Sequence, residues 1–158
     1  MISMSRSLVL LFLIFCCSFP MVLHAQKAGT NSDMTPDILK YVNKHRTDMG
    51  LKPLVNNATI AAASEQHSKN MATKKIPFGH DGFNERMEKL AKQLPPSYSY
   101  AENVAEGATT AKEVVDQWLH SPGHKKNIEG DYNITGIGIA KGADGTLYYT
   151  QIFLNRSK

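Results

Sequence analysis

The sequence predicts an α+β domain, helices first and an antiparallel sheet completed by a C-terminal β-hairpin. Three observations carry the prediction. Apolar residues recur at helical spacing in segments between Ile38 and Leu119. After Ile134 the period shortens to two, with Gly136, Gly138 and Ala140 alternating against Thr135, Ile137 and Ile139. Gly142-Ala143-Asp144-Gly145 separates this run from a second one, Thr146 to Leu154, and Asp and Gly there favour a hairpin turn. At 158 residues and 17.5 kDa the chain has room for one domain of ordinary size and not for two.

Residues 1–25 read as a cleaved signal peptide. Arg6 supplies the positive start, Leu8 to Phe15 is unbroken hydrocarbon, and Leu23-His24-Ala25 ends in a small residue, the pattern of an export signal and its cleavage site. As a spanning helix the apolar stretch falls short of the roughly 20 residues required, and Pro20 interrupts it. No transmembrane anchor is therefore expected after cleavage. Bulky Phe15 before Cys16 argues against lipid attachment. Both cysteines, Cys16 and Cys17, leave with the leader, so the mature domain has no disulfide, no thiolate metal ligand and no cysteine nucleophile. The expectation is a secreted protein of bacterial type, extracellular or periplasmic. Sequons at Asn57, Asn133 and Asn155 are short enough to arise by chance and carry little weight.

Residues 26–34 are polar and read as a flexible arm, and residues 35–155 as one domain. Thr35-Pro36 marks a helix start, threonine at the cap and proline at the first helical position. Ile38, Leu39, Val42 and Met49 continue it until Gly50. After a linker at Lys52-Pro53-Leu54, a second helix is expected from about Thr59 to Lys74. Asp81 or Asn84 is placed to cap a third through Met87, Leu90 and Ala91, ended by Pro95-Pro96. Tyr98 to Gly107 reads as a loop or short strand. Thr110 opens a fourth helix with Val114, Val115, Trp118 and Leu119 on its apolar stripe. Pro122-Gly123 breaks it, and a short turn through Ile128 follows.

Composition excludes one large class. Loss of Arg6 takes the formal charge from +4 to +3, and Lys74-Lys75 and Lys125-Lys126 are pairs without interleaved aromatics. That is no footprint for nucleic acid.

Several segments carry a resemblance when taken in order. They are Ser64-Glu65-Gln66-His67-Ser68-Lys69-Asn70-Met71-Ala72, Phe78-Gly79-His80-Asp81-Gly82-Phe83, Ala101-Glu102-Asn103-Val104-Ala105-Glu106-Gly107 and Trp118-Leu119-His120-Ser121-Pro122-Gly123-His124-Lys125-Lys126-Asn127-Ile128. Gly136-Ile137-Gly138-Ile139-Ala140 and Tyr148-Tyr149-Thr150-Gln151-Ile152-Phe153 complete the set. From Asp37 to Phe153 the chain resembles the CAP (SCP-like) superfamily of cysteine-rich secretory, antigen and pathogenesis-related proteins, in its disulfide-free bacterial form. The resemblance implies a three-layer α–β–α sandwich with a small antiparallel sheet. It also implies a shallow cavity lined by two histidines and two glutamates. The histidines map onto His80 and His124 and one glutamate onto Glu102. The second acidic position is Ser121 here, which weakens any two-carboxylate mechanism. His67 matches a recurrent position of the bacterial branch, outside the core site.

His80, Glu102 and His124 lie 22 residues apart each time, so only the fold can join them. Two imidazoles and a carboxylate suit a divalent ion such as zinc, His80 and His124 being its ligands. The alternative is a hydrogen-bonded set in which Glu102 accepts from both rings. Trp118 reads as a core plug, and Asn103 as a group satisfying buried backbone beside Glu102. Only one of Tyr148 and Tyr149 is expected in the core. His45 and His120 are expected to be exposed and unpartnered, and Gly123 and Gly136 to serve backbone freedom. A binding module for a lipid or sterol, a peptide or a protein partner ranks first. A passive structural envelope domain ranks second. A metal-assisted hydrolase using His80, Glu102 and His124, or a Ser121–His124 dyad, ranks third.

Overall fold

The computed structural model describes residues 34–156; the expected signal peptide and all but the last residue of the expected arm lie outside them. In chain order the elements are α1 (Thr35–Asp48), β1 (Val55–Asn56), α2 (Ala58–Ala72), α3 (Phe83–Ala91), β2 (Ser97–Glu106), α4 (Ala111–His120), α5 (Pro122–Ile128), β3 (Ile134–Lys141) and β4 (Leu147–Arg156). The sheet runs β1-β3-β4-β2. β3 and β4 form the expected hairpin, β2 pairs antiparallel with β4, and the two-residue β1 adds a parallel rung to β3.

Strand alternation sorts side chains into two cores, one on each face of the sheet. Odd-numbered residues Ala101, Ala105, Ile137, Ile139, Tyr149 and Phe153 pack with Ile38 and Val42 of α1 and with Val114, Val115 and Trp118 of α4. On the other face Ile152 and Leu154 meet Ile60, Met87 and Leu90, while Val104 and Tyr148 meet Met71 and Ala72. Helices therefore cover both faces, α1, α4 and α5 on one side and α2 and α3 on the other. This is the α–β–α sandwich. It also explains why Tyr148 and Tyr149 are both buried, against the expectation of one: neither sheet face meets solvent there. The Tyr149 hydroxyl donates to Ala108 O at 2.8 Å, and burial with Glu113 nearby pushes its pKa up to about 12.

Helix ends differ from expectation in instructive ways. Thr35 is the first residue of α1, not its cap, with Pro36 inside the first turn. The side chain of Asn57 caps α2 by accepting from the Thr59 and Ile60 amides. Neither Asp81 nor Asn84 caps α3; Gly82 does so in the left-handed region, φ 73°, which glycine enters at little cost. Thr110 caps α4 as expected, accepting from Glu113 N. The helical run breaks at Ser121, as expected; Pro122 then starts the seven-residue α5, where its missing N–H is no loss. In place of a loop or short strand after Pro96 stands the ten-residue β2.

Two contacts hold the α1/α4/α5 layer in place beneath the site. Buried Arg46 donates to the carbonyls of Lys52, Ile128, Gly130 and Tyr132, tying α1 to the end of α5. His45, expected to be unpartnered, meets Glu129 at 2.8 Å. His120 is exposed as expected but bonds Asp116 O at 2.7 Å.

Candidate functional site

The site is built around three consecutive residues of β2. Alternation sends Glu102 and Val104 toward α2 and α3 and Asn103 toward α4 and α5. The backbone carbonyls of Glu102 and Val104 point out of the free edge of β2. There Asn127 Nδ2 donates to Glu102 O at 3.2 Å and Trp118 Nε1 to Val104 O at 3.2 Å. Trp118 is thus the core plug expected of it, with its polar atom satisfied at the strand edge.

The Glu102 carboxylate is 2% exposed and fully engaged. Arg86 of α3 forks onto it, Nε to Oε2 at 3.0 Å and Nη2 to Oε1 at 2.7 Å. Such a bidentate pair is the strong form of an ion pair. His80, in the α2–α3 loop, donates from Nδ1 to Oε1 at 2.9 Å, which leaves its Nε2 as a lone pair on a half-exposed ring. His67 of α2 is 1% exposed and stands 3.8 Å from Oε1. It donates from Nε2 to Gly79 O at 2.9 Å, pinning the loop that carries His80. That bond fixes the tautomer, so Nδ1 carries a lone pair, and it has no hydrogen-bond partner.

His124 reaches the site from the other layer. Its helix α5 is held to β2 by an amide relay: Asn103 Nδ2 donates to His124 O at 3.1 Å, and Asn127 Nδ2 to Asn103 Oδ1 at 2.9 Å. This is the backbone-satisfying role expected of Asn103. Burial, and then the neighbouring His80, hold the His124 pKa below the ordinary imidazole value. No hydrogen bond joins the His124 ring to Glu102 among the described residues. The expected His–Glu–His set is therefore corrected: the second donor to Glu102 is Arg86. Ser121 closes α4 and opens α5, and its side chain makes no bond to cap α5 or to reach His124. The Ser121–His124 dyad is not formed.

Sequence reasoning places His67 outside the site and misses Arg86. The signal for Arg86 is physical: a carboxylate on a strand covered by helices needs a cation, and Arg86 is the basic residue of Asn84-Glu85-Arg86-Met87 that faces inward.

The donor set does not fit a three-ligand metal centre. Arg86 takes both oxygens of Glu102 and balances its charge, and no group of three His, Cys, Asp or Glu side chains among the described residues is placed to hold an ion. The imidazoles of His80 and His124 are what the site offers a cation.

His67 gives a pH prediction. Burial first, and then Arg86, hold its pKa below the ordinary value of 6.5. The unfolded chain therefore binds protons that the folded one refuses, and stability falls as pH drops below about 6.5. For this enclosed ring the slope is up to about 1.4 kcal/mol per pH unit. Urea midpoints between pH 7.5 and 5 should show the decline, and His67→Gln should flatten it; an unchanged slope would place the titration elsewhere.

The same fold and motifs recur in known proteins. Residues 39–153 match the model of the CAP family, described as the cysteine-rich secretory protein family. The protein YkwD of Bacillus subtilis is 33% identical over 142 residues, covering 84% of this chain and 54% of YkwD. This chain thus spans about half the length of that relative. An extracellular SCP-domain protein of Bacillus anthracis superposes with a TM-score of 0.67 at 24% identity, over 79% of this chain and 41% of the other. An outer surface protein of Borrelia burgdorferi gives 0.68 at 21%, over 80% and 95%. A cysteine-rich secretory protein of Staphylococcus aureus gives 0.68 at 22%, over 82% and 40%. At those identities the solved structures speak for the fold alone. The β2 edge, the α–β–α layers and the family match over residues 39–153 agree, and the chain belongs to the CAP family of cysteine-rich secretory proteins, in its bacterial form.

Proposed function

We propose that this is a secreted binding module whose ligand rests on the imidazoles of His80 and His124, with Glu102 serving as a fixed internal support. One observation carries the reading: Glu102 is fully committed to Arg86 and His80, while His80 is half-exposed and the His124 ring has no hydrogen-bond partner among the described residues. A general base would need its carboxylate free. Exposed aromatics are close by in the chain: Phe78 lies two residues before His80, and Tyr100 lies two before Glu102 on the same strand face. Imidazole edges beside exposed aromatic rings favour a ligand with a polar head and an apolar body, a lipid or sterol before a peptide. A metal ion is the weaker candidate, because Arg86 has taken the charge of the carboxylate that His80 bonds.

Export is supported by the leader pattern and by the extracellular and outer-surface descriptions of the similar structures. No helix among the described residues is long and apolar enough to cross a membrane. The test is loading with a fluorescent sterol and with a fluorescent fatty acid. Saturable uptake that falls at least tenfold in His80→Ala/His124→Ala supports the reading; protein that takes up neither probe counts against it.

A second reading has one observation in its favour. The Glu102–His80 bond is the orienting half of an acid–base pair and leaves Nε2 of His80 free as a base. Peptidase or esterase turnover abolished by His80→Ala, with the melting temperature held, would support a hydrolase in place of a binding module.

A further inference from the structure

A groove of about 590 Å³ runs between α2 and α3, on the far side of His67 and Arg86 from His80. It is a separate place from the His80–His124 edge: neither imidazole of that pair lines it. Its floor is made of small apolar groups, Ala62 and Ala63, against Leu90. Its rims are polar, and none of the residues lining it is acidic.

We propose that this groove binds an extended peptide segment carrying a carboxylate, supplied either by an acidic side chain or by a C-terminus. Three features of the groove argue for that occupant. The first is charge. Lys89 on the α3 rim has no ion-pair partner among the described residues, and Arg86, although forked onto Glu102, keeps one N–H on each terminal nitrogen beyond its bonds to Asp81 O and Glu102. With no acid in the lining, a carboxylate is the complement.

The second is the amide pair on α2. Gln66 Nε2 donates to Asn70 Oδ1 at 2.9 Å. That single bond orients both groups, leaving the Gln66 carbonyl as a free acceptor and the Asn70 amide as a free donor. An acceptor and a donor side by side match the N–H and C=O of one peptide unit. An acyl chain would cover these groups without satisfying them, at a cost in desolvation.

The third is the inner end. His67 backs the groove there with a side chain that is 0% exposed, so a buried imidazole, not an open cavity, stands between the groove and Glu102. Alanine at the floor leaves width for a backbone with small side chains and excludes little else.

The test uses three probes of defined chemistry on the 15N-labelled protein. They are N-acetyl penta-alanine with a free C-terminus, the same peptide with an amidated C-terminus, and an amidated N-acetyl peptide with one central glutamate. Either or both carboxylate peptides should give saturable amide shifts centred on residues 62–70 of α2 and on residues 86–93, the end of α3 and the turn after it. The neutral peptide should bind at least tenfold more weakly. The first probe against the third tells a chain terminus from a side chain. Lys89→Glu should weaken binding at least tenfold and Ala62→Trp should abolish it. Both positions are exposed, so a dispersed spectrum is expected of each; Lys89→Gln serves if the charge reversal disturbs the fold. Equal shifts from the neutral peptide, shifts centred on His80 and His124, or none up to millimolar peptide overturn the proposal. So does decanoate binding at the same residues with the peptides silent, which would make the groove an acyl site. Failure of the sterol and fatty-acid loading at His80 and His124 leaves this outcome untouched, because the groove is read from different amide signals.

Discussion

Arg86→Met should lower stability by about 3–5 kcal/mol, the cost of stranding one member of a buried ion pair. Glu102 is 2% exposed and Arg86 is 14% exposed, so neither charge can turn to water without moving an element. With the guanidinium gone, the carboxylate would keep one side-chain hydrogen bond among the described residues, from a His80 ring that is half outside. Methionine keeps most of the apolar stem, so lost packing contributes little and the loss reports the charge. Glu102→Gln in the same background removes the stranded charge and should recover at least about 2 kcal/mol, a coupling expected of groups in direct contact. Chemical denaturation of the two single variants and the double variant at pH 7.5 measures it. A loss below about 1 kcal/mol in Arg86→Met, or simple additivity in the double variant, would show that water or a shifted loop already screens the pair. His80→Ala should be mild by comparison, because Glu102 keeps both bonds from Arg86.

Gly138→Ala should cost about 3 kcal/mol or more, at the upper end for an overpacked core. A Cβ at Gly138 would lie closer than 3.0 Å to Glu65 N, Glu65 Cα and Ser64 C. These are backbone atoms of α2, which cannot swing aside as a side-chain tip can. Gly136 meets Ala61 and Ile60 of the same helix in the same way. The close approach is locked from both sides: Ser64 Oγ donates to Gly136 O and Ser68 Oγ to Gly138 O, each at 3.0 Å. Ser68 Oγ in turn accepts from the Thr150 hydroxyl at 2.8 Å. Gly123→Ala is the control. No atom lies within 4 Å of a Cβ built there, and its φ is not positive, so alanine inside α5 should be neutral or stabilising by up to about 1 kcal/mol. Thermal unfolding of the two variants side by side decides it. Equal melting temperatures would mean that α2 can lift off β3 at little cost.

Those two glycines show where reading from sequence stops. The alternation Ile134–Ala140 is legible as a strand because period two is a local property of the chain. From sequence Gly136 reads as backbone freedom, yet its φ is not in the left-handed region at all. It is glycine because a helix 72 residues away in the chain, at Ser64, lies on it. Tyr148 and Tyr149 make the same point. Their opposite facing follows from the pleat, but both are buried because both faces of the sheet are covered, and only the packing of layers sets that.

The candidate site divides along the same line. His80, Glu102 and His124 are reached through motifs, each a short run of neighbouring residues, and the fold brings His80 onto Glu102 and ties the helix of His124 to the same strand. What the motifs cannot supply is the partner of the buried charge. Arg86 and His67 answer to desolvation and hydrogen-bond geometry, set by atoms far apart in sequence. The helices, the hairpin, the export signal as an expectation and the order of the family motifs are all written in runs of neighbouring side chains, and the chain alone suffices to read them. That Glu102 is neutralised from within by Arg86, that its ring partner is His80 and not His124, and that an acid-free groove lies behind them emerge only in the folded protein, because burial and pairing are properties of the assembled layers.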